Sequence, residues 1–419
     1  MDMAAVRGHA RRGRALLAVI GAALALAAAL AATPAHAAAA PQAGRAGAEA
    51  ISPVAGGASA PALTWAVVPS PNVPDSGDSL AAVSCTSAHF CVAAGAETGK
   101  AKGSVMHPLI ETWNGTRWSI AAAPSVPRAE LFGVSCASAT ACAAVGFTVP
   151  PAGGNSSTLA ERWNGTRWSV VPSPTKLDGE LLAVSCPSAT ACTAAGSYAT
   201  SKGIGRNLIE SWNGSRWALV PNPSKGNTFL SGVSCSSPAA CTAVGTRFFT
   251  GAGYGPVIES WNGTHWSLMS TPRKPETDLN AVSCASAGTC TAVGSYLDPK
   301  VVYQPVAESW NGTKWSIAPT PKPRYGRLSG VACVSVTDCT AAGNYWPTPL
   351  KNTRDLVESW NGTTWSQSTV PDNGPLGGLF GVSCASADFC TAVGDYTNGT
   401  SRSATLIETG TAGTYVSPG

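Results

Sequence analysis

Cysteine occurs in this sequence as seven pairs, and the distance from one pair to the next is nearly constant. The second cysteine of each pair follows the first by six residues, and the first cysteines are 51, 50, 49, 49, 49 and 51 residues apart. A fixed period of this length is typical of a repeat architecture in which each unit is one supersecondary element. The pairs are Cys85/Cys91, Cys136/Cys142, Cys186/Cys192, Cys235/Cys241, Cys284/Cys290, Cys333/Cys339 and Cys384/Cys390.

Each unit contains four short apolar runs of strand length that are separated by turn signals. In the third unit these runs cover 181–186, 192–196, 208–212 and 217–220. An Asn-Gly pair, here Asn213-Gly214, lies between the third and fourth runs, and it predicts a tight hairpin because both residues tolerate positive φ. Prolines follow the fourth run, as expected at the end of an edge strand, since proline cannot donate a ladder hydrogen bond.

Four antiparallel strands repeated seven times predict an all-β fold, a seven-bladed β-propeller of four-stranded antiparallel blades over residues 63–419. A linear β-solenoid is the alternative, although its repeats are usually shorter and its strands pair between repeats. The N-terminal run 63–69 matches a fourth strand, whereas the last unit has lost Trp-Asn-Gly. We therefore predict that 63–69 pairs with the third strand of the last unit at 406–409, closing the ring and removing exposed sheet edges.

The turn between the third and fourth strands also carries a family resemblance. Ser260-Trp261-Asn262-Gly263-Thr264-His265-Trp266 is similar to the sialidase Asp-box Ser-x-Asp-x-Gly-x-x-Trp, with one residue fewer and Asn in place of Asp. The chain resembles secreted bacterial propeller repeat proteins of the kelch and sialidase type, although its units do not share the Gly-Gly doublet of kelch repeats or a Trp-Asp ending. The resemblance implies a propeller fold and does not carry sialidase activity over.

The N-terminus indicates export. Arg7, Arg11, Arg12 and Arg14 precede an apolar run at 15–32, and the small-x-small site at 35–37 completes a predicted signal peptide over 1–37. A retained membrane anchor is the alternative. Residues 38–62 are almost entirely Ala, Gly, Pro and Ser, which predicts a disordered leader. We expect a secreted, extracellular protein with no membrane span after cleavage.

Charge and cysteine usage narrow the function classes further. Removing four Arg and one Asp with residues 1–37 leaves 23 basic and 22 acidic groups, a net of +1, so we expect no nucleic-acid partner. In an oxidising compartment each cysteine pair, at the two ends of a five-residue hairpin loop, should form a structural disulfide within its unit. Zinc is the alternative, but only His89, His107 and His265 follow the signal peptide, so we expect no metal and no cofactor.

One glutamate recurs in the third strand of every unit. A carboxylate can act as an acid or a base, but an active site needs one or two of them rather than seven around a ring. We therefore expect structural pairing or solvent exposure. The residues are Glu111, Glu161, Glu210, Glu259, Glu308, Glu358 and Glu408.

The two faces of the predicted ring differ in how much the units vary. Cysteine loops and Asn-Gly turns lie on one face and are nearly constant, so we call it the constant face. Loops between the second and third strands, and links from each fourth strand to the next unit, lie on the other, the variable face. Variable loops on a rigid scaffold commonly carry binding sites.

Two groups of residues mark this variable face. If the first strand is innermost, the residue before its leucine lies at the mouth of the central channel. The loops of units 4 to 6 carry aromatic and basic residues, which suit sugar or protein surfaces unless the loops pack on their own aromatics. The mouth residues are Ser79, Glu130, Glu180, Phe229, Asp278, Arg327 and Gly378. The loop residues are Phe248, Phe249, Tyr254, Tyr303, Tyr325, Trp346, Lys322, Arg324 and Lys351.

The sequence favours a secreted, non-enzymatic, monomeric propeller that binds an extracellular glycan or protein. The alternative is a polysaccharide hydrolase or lyase with Glu130 and Glu180 as its acid/base pair. A purely structural envelope protein is a third class. The predicted ligand-binding residues are Asp278, Tyr303, Lys322, Arg324, Tyr325, Arg327 and Trp346.

Overall fold

The computed structural model describes residues 62–99, 105–174, 176–251, 253–272, 276–300, 302–323, 325–348, 352–374, 376–397 and 402–413. All of them belong to the second of two compact units, Ser59–Gly419. The signal peptide over 1–37 and all but the last residue of the leader over 38–62 lie outside the described residues. No helix in the described part of the chain is long and apolar enough to cross a membrane.

The described residues form 28 strands. In chain order they are β1 (Thr64–Val67), β2 (Ser76–Ser87), β3 (Phe90–Gly99), β4 (Met106–Trp113), β5 (Trp118–Ile120), β6 (Ala129–Ser138), β7 (Ala141–Thr148), β8 (Ser157–Trp163), β9 (Trp168–Val170), β10 (Glu180–Ser188), β11 (Ala191–Ala199), β12 (Gly205–Trp212), β13 (Trp217–Leu219), β14 (Asn227–Ser237), β15 (Ala240–Phe248), β16 (Tyr254–Trp261), β17 (Trp266–Leu268), β18 (Thr277–Ser286), β19 (Thr289–Leu297), β20 (Tyr303–Trp310), β21 (Trp315–Ala318), β22 (Arg327–Ser335), β23 (Asp338–Tyr345), β24 (Arg354–Trp360), β25 (Trp365–Gln367), β26 (Gly378–Ser386), β27 (Phe389–Thr397) and β28 (Ser403–Thr411).

The strands make seven four-stranded antiparallel sheets, so the predicted seven-bladed β-propeller is confirmed. Blades 1 to 6 are β2–β5, β6–β9, β10–β13, β14–β17, β18–β21 and β22–β25, and blade 7 is β26–β28 with β1. All ladder pairing among the described strands occurs within a blade, which rules against the solenoid. The first strands of the blades line a central channel, so they are the innermost strands.

The N-terminal strand closes the ring. Strand β1 pairs antiparallel with β28, with Thr64 opposite Thr411 and Val67 opposite Glu408, which confirms the predicted closure. Trp65 is 6% exposed, and its ring lies over Gly410, where an added Cβ would come within 2.8 Å of it. In the other blades, a tryptophan that ends the third strand packs on the tryptophan that begins the fourth. Blade 7 has Gly410 at the first of these positions, so Trp65 has no tryptophan partner.

The apolar core lies between neighbouring blades. One cluster, for example, joins Val145 and Ala160 of blade 2 to Leu181 and Trp217 of blade 3. The second strand of each blade has neighbours on both of its faces, which explains its continuous run of Ala and Val. Its glycine is required because an added Cβ would lie 1.8–2.0 Å from a carbonyl oxygen of the first strand, as at Gly146.

All seven predicted disulfides are present. The expected five-residue loop between the cysteines was wrong, because the strands continue past them. In blade 2, Ser138 pairs with Ala141, so the loop contains only Ala139 and Thr140. The two Cα atoms are 3.9–4.0 Å apart, closer than the roughly 5.5 Å that is usual. Each disulfide therefore joins two adjacent strands across a tight hairpin.

The second cysteine of each pair is a core residue and not a residue at a loop end, which corrects its predicted placement. It lies inside the second strand, where it packs against the apolar cluster between blades and is 0–4% exposed. Burial at this depth excludes contact with a ligand, so these cysteines belong to the scaffold rather than to an accessible site. The residues are Cys91, Cys142, Cys192, Cys241, Cys290, Cys339 and Cys390.

The first cysteine of each pair is less deeply buried than the second. Cys186 is 8% exposed, and the other six are half-buried on the innermost strand. They are Cys85, Cys136, Cys186, Cys235, Cys284, Cys333 and Cys384. The predicted structural role of all fourteen cysteines agrees with these positions, since each bond fixes the innermost strand of a blade to the core.

The Asn-Gly turn forms the predicted hairpin, but not through positive φ at both residues. Only the glycine has positive φ, such as 93° at Gly214, and four residues separate the two tryptophans. The asparagine side chain closes the turn: Oδ1 of Asn213 accepts hydrogen bonds from Ser215 N, Ser215 Oγ and Arg216 N at 2.9–3.0 Å. The flanking tryptophans pack against each other with ring centroids 5.8 Å apart, as in Trp212 and Trp217.

A ring of hydrogen bonds links the inner strands. The serine before the first cysteine of one blade accepts from the backbone N–H of the next blade's cysteine, as Ser84 Oγ does from Cys136 N at 2.9 Å. Six of the seven junctions carry this bond. Blade 6 has Ala332 at the serine position, so its junction with Cys384 of blade 7 offers no hydroxyl there.

Restoring the missing serine is expected to stabilise the protein. Ala332→Ser supplies an acceptor for Cys384 N, and we expect the free energy of unfolding to rise by about 1 kcal/mol. The matched control Ser283→Ala removes the bond to Cys333 and should lower it by about the same amount. Urea unfolding with the disulfides intact measures both. No loss of stability in Ser283→Ala, together with no gain in Ala332→Ser, would show that this ring does not stabilise the blade junctions.

Candidate functional site

The structure confirms how the loops divide between the two faces. Because the strands of each blade run antiparallel in the order first to fourth, the cysteine loop and the Asn-Gly turn share one face. They also touch, since Trp113 Nε1 beside the turn donates to Ala88 O in the cysteine loop at 2.9 Å. The loops between second and third strands and the links lie on the opposite, variable face.

Three of the predicted ligand-binding residues meet on the variable face at blades 5 and 6. Arg327 begins β22, Asp278 lies at the start of β18, and Tyr303 begins β20. Arg327 Nη2 is 3.9 Å from Asp278 Oδ2, and the guanidinium lies 5.5 Å from the centre of the Tyr303 ring. Ser295 Oγ donates to Asp278 Oδ1 at 2.7 Å, which fixes the carboxylate. An arginine stacked on an aromatic ring is oriented for contact with a ligand.

Three more aromatic residues extend this group across blade 4. Phe229 and Phe248 have ring centroids 5.6 Å apart, and Phe248 and Tyr254 have centroids 6.0 Å apart. Tyr254 shares a side-chain hydrogen bond with Tyr303, which joins blade 4 to blade 5. Burial, and then the negative charge of Asp278, raises the pKa of the Tyr254 hydroxyl. We call Phe229, Phe248, Tyr254, Tyr303, Arg327 and Asp278 together the aromatic–arginine strip.

The strip is partly open to solvent. The Arg327 side chain is 43% exposed, the Asp278 side chain is 19% exposed, and the four aromatic residues are half-buried. An ion pair at this exposure contributes little to stability. Its main effect is to hold the guanidinium beside Tyr303, which leaves a preorganised surface with apolar faces, hydroxyls and one cation.

The other predicted binding residues are placed less specifically. Lys322 is exposed in the link between blades 5 and 6, and Trp346 is half-buried after β23. Tyr325 is half-buried in the same link as Lys322 and has a φ of 55°. Arg324 and Lys351 lie outside the described residues. The structure therefore brings three of the seven predicted binding residues together and leaves the other four as predictions.

The left-handed backbone of Tyr325 is a property of the repeat rather than of one site. Every link has a residue of positive φ shortly before the next first strand, and only one of these described residues is glycine. Such conformations are uncommon for residues other than glycine. At these residues the chain changes direction between the link and the first strand of the next blade. The residues are Asp75, Arg128, Asp178, Gly226, Glu276, Tyr325 and Leu376.

The two carboxyls of the alternative acid/base pair are also neighbours. Burial, and then the charge of Glu180, raises the pKa of Glu130 to about 7. Burial raises the pKa of Glu180, although Ser197 Oγ donates to its Oε1 at 3.2 Å and lowers it in part. A carboxyl that remains partly protonated near neutral pH can act as a general acid. The role of Glu130 and Glu180 as an acid/base pair stays a prediction.

The recurring glutamates of the third strands are buried between blades, all at 0% exposure. The expectation of solvent exposure was wrong for them. An outer-strand residue lies directly opposite each one and therefore shares its face of the sheet. Six of these seven opposite residues are aliphatic and 39–48% exposed: Val67, Ile120, Val170, Leu219, Leu268 and Ile317. Gln367 is the seventh, over Glu358.

Structural pairing of these glutamates is present in some blades. Ser70 Oγ donates to Glu111 Oε2 at 2.8 Å, and Ser173 Oγ donates to Glu210 Oε2 at 2.6 Å. Asn207 Nδ2 of blade 3 donates to Glu259 Oε1 of blade 4 at 2.7 Å. These donors come from the preceding link or the preceding blade, so each bond joins two neighbouring blades.

Two of the junctions in the described part of the chain lack this pairing. Neither oxygen of Glu161 or Glu358 has a hydrogen-bond partner among the described residues. In the preceding blade, the position that Asn207 occupies in blade 3 is proline: Pro108 before Glu161 and Pro305 before Glu358. Proline offers no side-chain donor at this position, and burial raises the pKa of Glu161 to about 7 and of Glu358 to about 8.

The described residues include no group of three or more His, Cys, Asp or Glu side chains arranged to hold a metal ion.

Comparison with known proteins gives limited information. No protein-family model matches the chain, and no curated protein matches it significantly. YCF48 from Cyanidioschyzon merolae is 15% identical over 82% of this chain and 98% of that chain, with a TM-score of 0.48. YCF48 bound to D1 peptide is 14% identical over 83% and 94%, with a TM-score of 0.46. A subtype N11 neuraminidase-like protein (H18N11, flat-faced bat) is 10% identical over 68% and 88%, with a TM-score of 0.42. At these values none of them informs the assignment of a ligand or an activity.

Proposed function

We propose that this protein is a secreted, non-enzymatic propeller that binds an extracellular glycan or protein through the aromatic–arginine strip. The observation that carries the proposal is the continuous contact from Phe229 to Arg327 across blades 4, 5 and 6. Half-buried aromatic residues offer a large contact area at little cost in side-chain entropy, and arginine adds directed hydrogen bonds. These residue types are enriched where binding energy concentrates.

The difference between the two faces supports this location. On the constant face, the Asn-Gly turns of blades 1 to 6 repeat the hydrogen-bond pattern seen at Asn213, so these blades present nearly the same groups. On the variable face the aromatic–arginine contacts belong to blades 4 to 6. Specific recognition needs distinct groups at fixed positions, which favours the variable face.

Secretion rests on two independent features of the chain. Each blade has one disulfide between adjacent strands, and such bonds persist in oxidising compartments. The first 37 residues have the charge and apolar pattern of a signal peptide. The seven disulfides join every first strand to its second strand, so the scaffold behind the strip would be covalently fixed outside the cell.

Binding should depend on Tyr303 and Arg327. A glycan array and purified cell-surface fractions serve to identify the ligand, and calorimetry then measures affinity. We expect Tyr303→Ala or Arg327→Ala to weaken binding about 10- to 100-fold. The matched control is Tyr198→Ala, which removes the ring that lies 5.5 Å from Lys176 on the same face in blade 3. The proposal fails if the two strip variants bind like the parent while the control or an Asn-Gly turn variant does not.

A second function, hydrolysis or eliminative cleavage of a polysaccharide, is favoured by the adjacency of Glu130 and Glu180. We expect the parent protein to release no reducing ends or unsaturated products from a panel of polysaccharides. Chromatography of the digests against buffer alone measures this. Product release that Glu130→Gln or Glu180→Gln abolishes, with binding to the strip intact, would establish the enzymatic alternative instead.

A further inference from the structure

The central channel is lined by residues that are not part of the aromatic–arginine strip. In each blade the leucine of the first strand is fully buried between blades, and the next residue lines the channel. In blades 4, 5 and 6 that residue is polar: Ser231, Asn280 and Ser329. In blades 7, 1, 2 and 3 it is apolar: Phe380, Ala81, Phe132 and Leu182. The channel therefore has one polar wall and one apolar wall.

The apolar wall is ordered and open to the channel. Phe132 is half-buried and stacks on Phe147 with ring centroids 5.7 Å apart and planes at 24°, which holds it in place. Phe380 is 38% exposed. Leaving large apolar side chains in contact with water has a free-energy cost, which a ligand that covers them would recover.

The polar wall is also held in place. Asn280 Nδ2 donates to Leu328 O of the neighbouring blade at 2.8 Å, which fixes the plane of the carboxamide. Ser231 and Ser329 flank Asn280 on the two adjacent blades and can each donate or accept a hydrogen bond. A ligand that places an apolar ring against Phe132, across the channel from Asn280 and Ser329, would thus present its opposite edge to these groups.

The size of the channel limits the ligand. The channel is open to solvent, and the space between its lining residues is about 220 Å³. A buried apolar cavity of about 150 Å³ can hold benzene. The channel accordingly has room for one substituted aromatic ring and excludes a folded chain.

We infer that the channel binds a single aromatic ring with a hydrogen-bonding substituent, such as a phenol. The ring packs on Phe380, Phe132 and Leu182, and the hydroxyl faces Ser231, Asn280 and Ser329. Such a group can belong to a free small molecule or to a tyrosine side chain that a partner protein inserts. This site shares no residue with the aromatic–arginine strip, so substitutions in one can be tested apart from the other.

The test uses the full secreted protein and 4-fluorophenol, with binding followed by fluorine NMR. We expect saturable binding in the parent, and Phe380→Ala should weaken it about tenfold. Asn280→Ala should weaken 4-fluorophenol and leave fluorobenzene unchanged, because only the phenol uses the polar wall. Val336→Ala, which alters an apolar side chain that is 55% exposed in a cysteine loop, is the matched control. Melting temperatures establish that each variant is folded.

Absence of saturable binding, or binding that Phe380→Ala and Asn280→Ala both leave unchanged, would overturn the inference. A second arm separates the two sources of the ring. A short peptide with a central tyrosine should bind better than 4-fluorophenol if a partner inserts a side chain. Binding of 4-fluorophenol alone would identify a free small molecule as the ligand.

Discussion

Lowering the pH from about 8 to about 5 is expected to stabilise this protein, in contrast to the usual effect of acid on folded proteins. The cause is the ring of glutamates buried between the blades. Burial raises the pKa of Glu111, Glu358 and Glu408 to about 8, and that of Glu161 and Glu210 to about 7. The ordinary value of 4.5 applies to these carboxyls in the unfolded chain.

The sign follows from which state holds the proton. A carboxyl whose folded pKa is raised stays protonated in the native state after it has ionised in the unfolded chain. Its stabilising contribution is complete below pH 4.5 and is lost as the pH rises through 7 to 8. Between pH 4.5 and the folded-state pKa of about 7 to 8, each rise of one pH unit lowers the free energy of unfolding by about 1.4 kcal/mol for each such carboxyl.

A neutral substitution isolates one of these groups. Glu358→Gln keeps the shape and removes the titration, so we expect the stability difference between pH 5 and pH 8 to shrink by about 3 kcal/mol. Chemical unfolding at several pH values measures it. Asp388→Asn, at an exposed carboxyl in the cysteine loop of blade 7, is the control. Its charge is a secondary cause, after burial, of the raised pKa of Asp338, so it should change the difference much less than Glu358→Gln does. A protein whose stability rises between pH 5 and pH 8 would contradict the account of the glutamate ring.

Deleting residues 62–70 is expected to have the second large effect. Strand β1 is the fourth strand of blade 7, and Trp65 belongs to the core cluster between blades 6 and 7 together with Leu379 and Leu406. Its loss leaves the edge of β28 unpaired, which favours aggregation. The link that follows β1 also carries Ser70, which donates to Glu111 in blade 1.

Single substitutions separate the contribution of the buried Trp65 side chain to stability from that of the exposed side of β1. Trp65→Ala should lower the free energy of unfolding by about 3–5 kcal/mol, since it empties a buried site. Val67→Ala changes a side chain of the same strand that is 44% exposed, so it should stay within about 0.5 kcal/mol. Thermal and urea unfolding measure both. If the deletion and Trp65→Ala leave the melting temperature unchanged, β1 does not hold the ring closed.

The repeat made the fold predictable from the sequence. Each blade is short and local, so the spacing of its cysteines, tryptophans and Asn-Gly turns was enough to identify four strands and the disulfide within it. Closure was also predictable, because Trp65 heads a complete copy of the fourth strand while the last unit lacks one. The conformation of the Asn-Gly turn was predicted less well. The Asn213 side chain closes the turn by accepting hydrogen bonds, whereas the sequence pattern suggested positive φ at Asn213, and residue types alone do not separate these two possibilities.

Contacts between blades were harder to predict, because each one joins residues about 50 positions apart. Glu161 and Glu358 look like the other glutamates in the sequence. The structure shows that neither has a hydrogen-bond partner among the described residues, with proline at the Asn207 position of the preceding blade. A comparison of aligned units at the position of Asn207 would have found this signal.

The aromatic–arginine strip was only partly predictable for the same reason. Phe229, Phe248 and Tyr254 were visible in the sequence as mouth and loop residues. Their contact with Tyr303 depends on how blades 4 and 5 meet, which no pattern within a single unit describes.

The central claim is that recognition takes place on the variable face at blades 4 to 6. The most direct test is hydrogen–deuterium exchange of the intact protein with and without its ligand, once array screening has identified that ligand. The account predicts protection confined to peptides that contain Phe248, Tyr254, Tyr303 and Arg327. Protection of the cysteine loops and Asn-Gly turns, with none at these four residues, would contradict it.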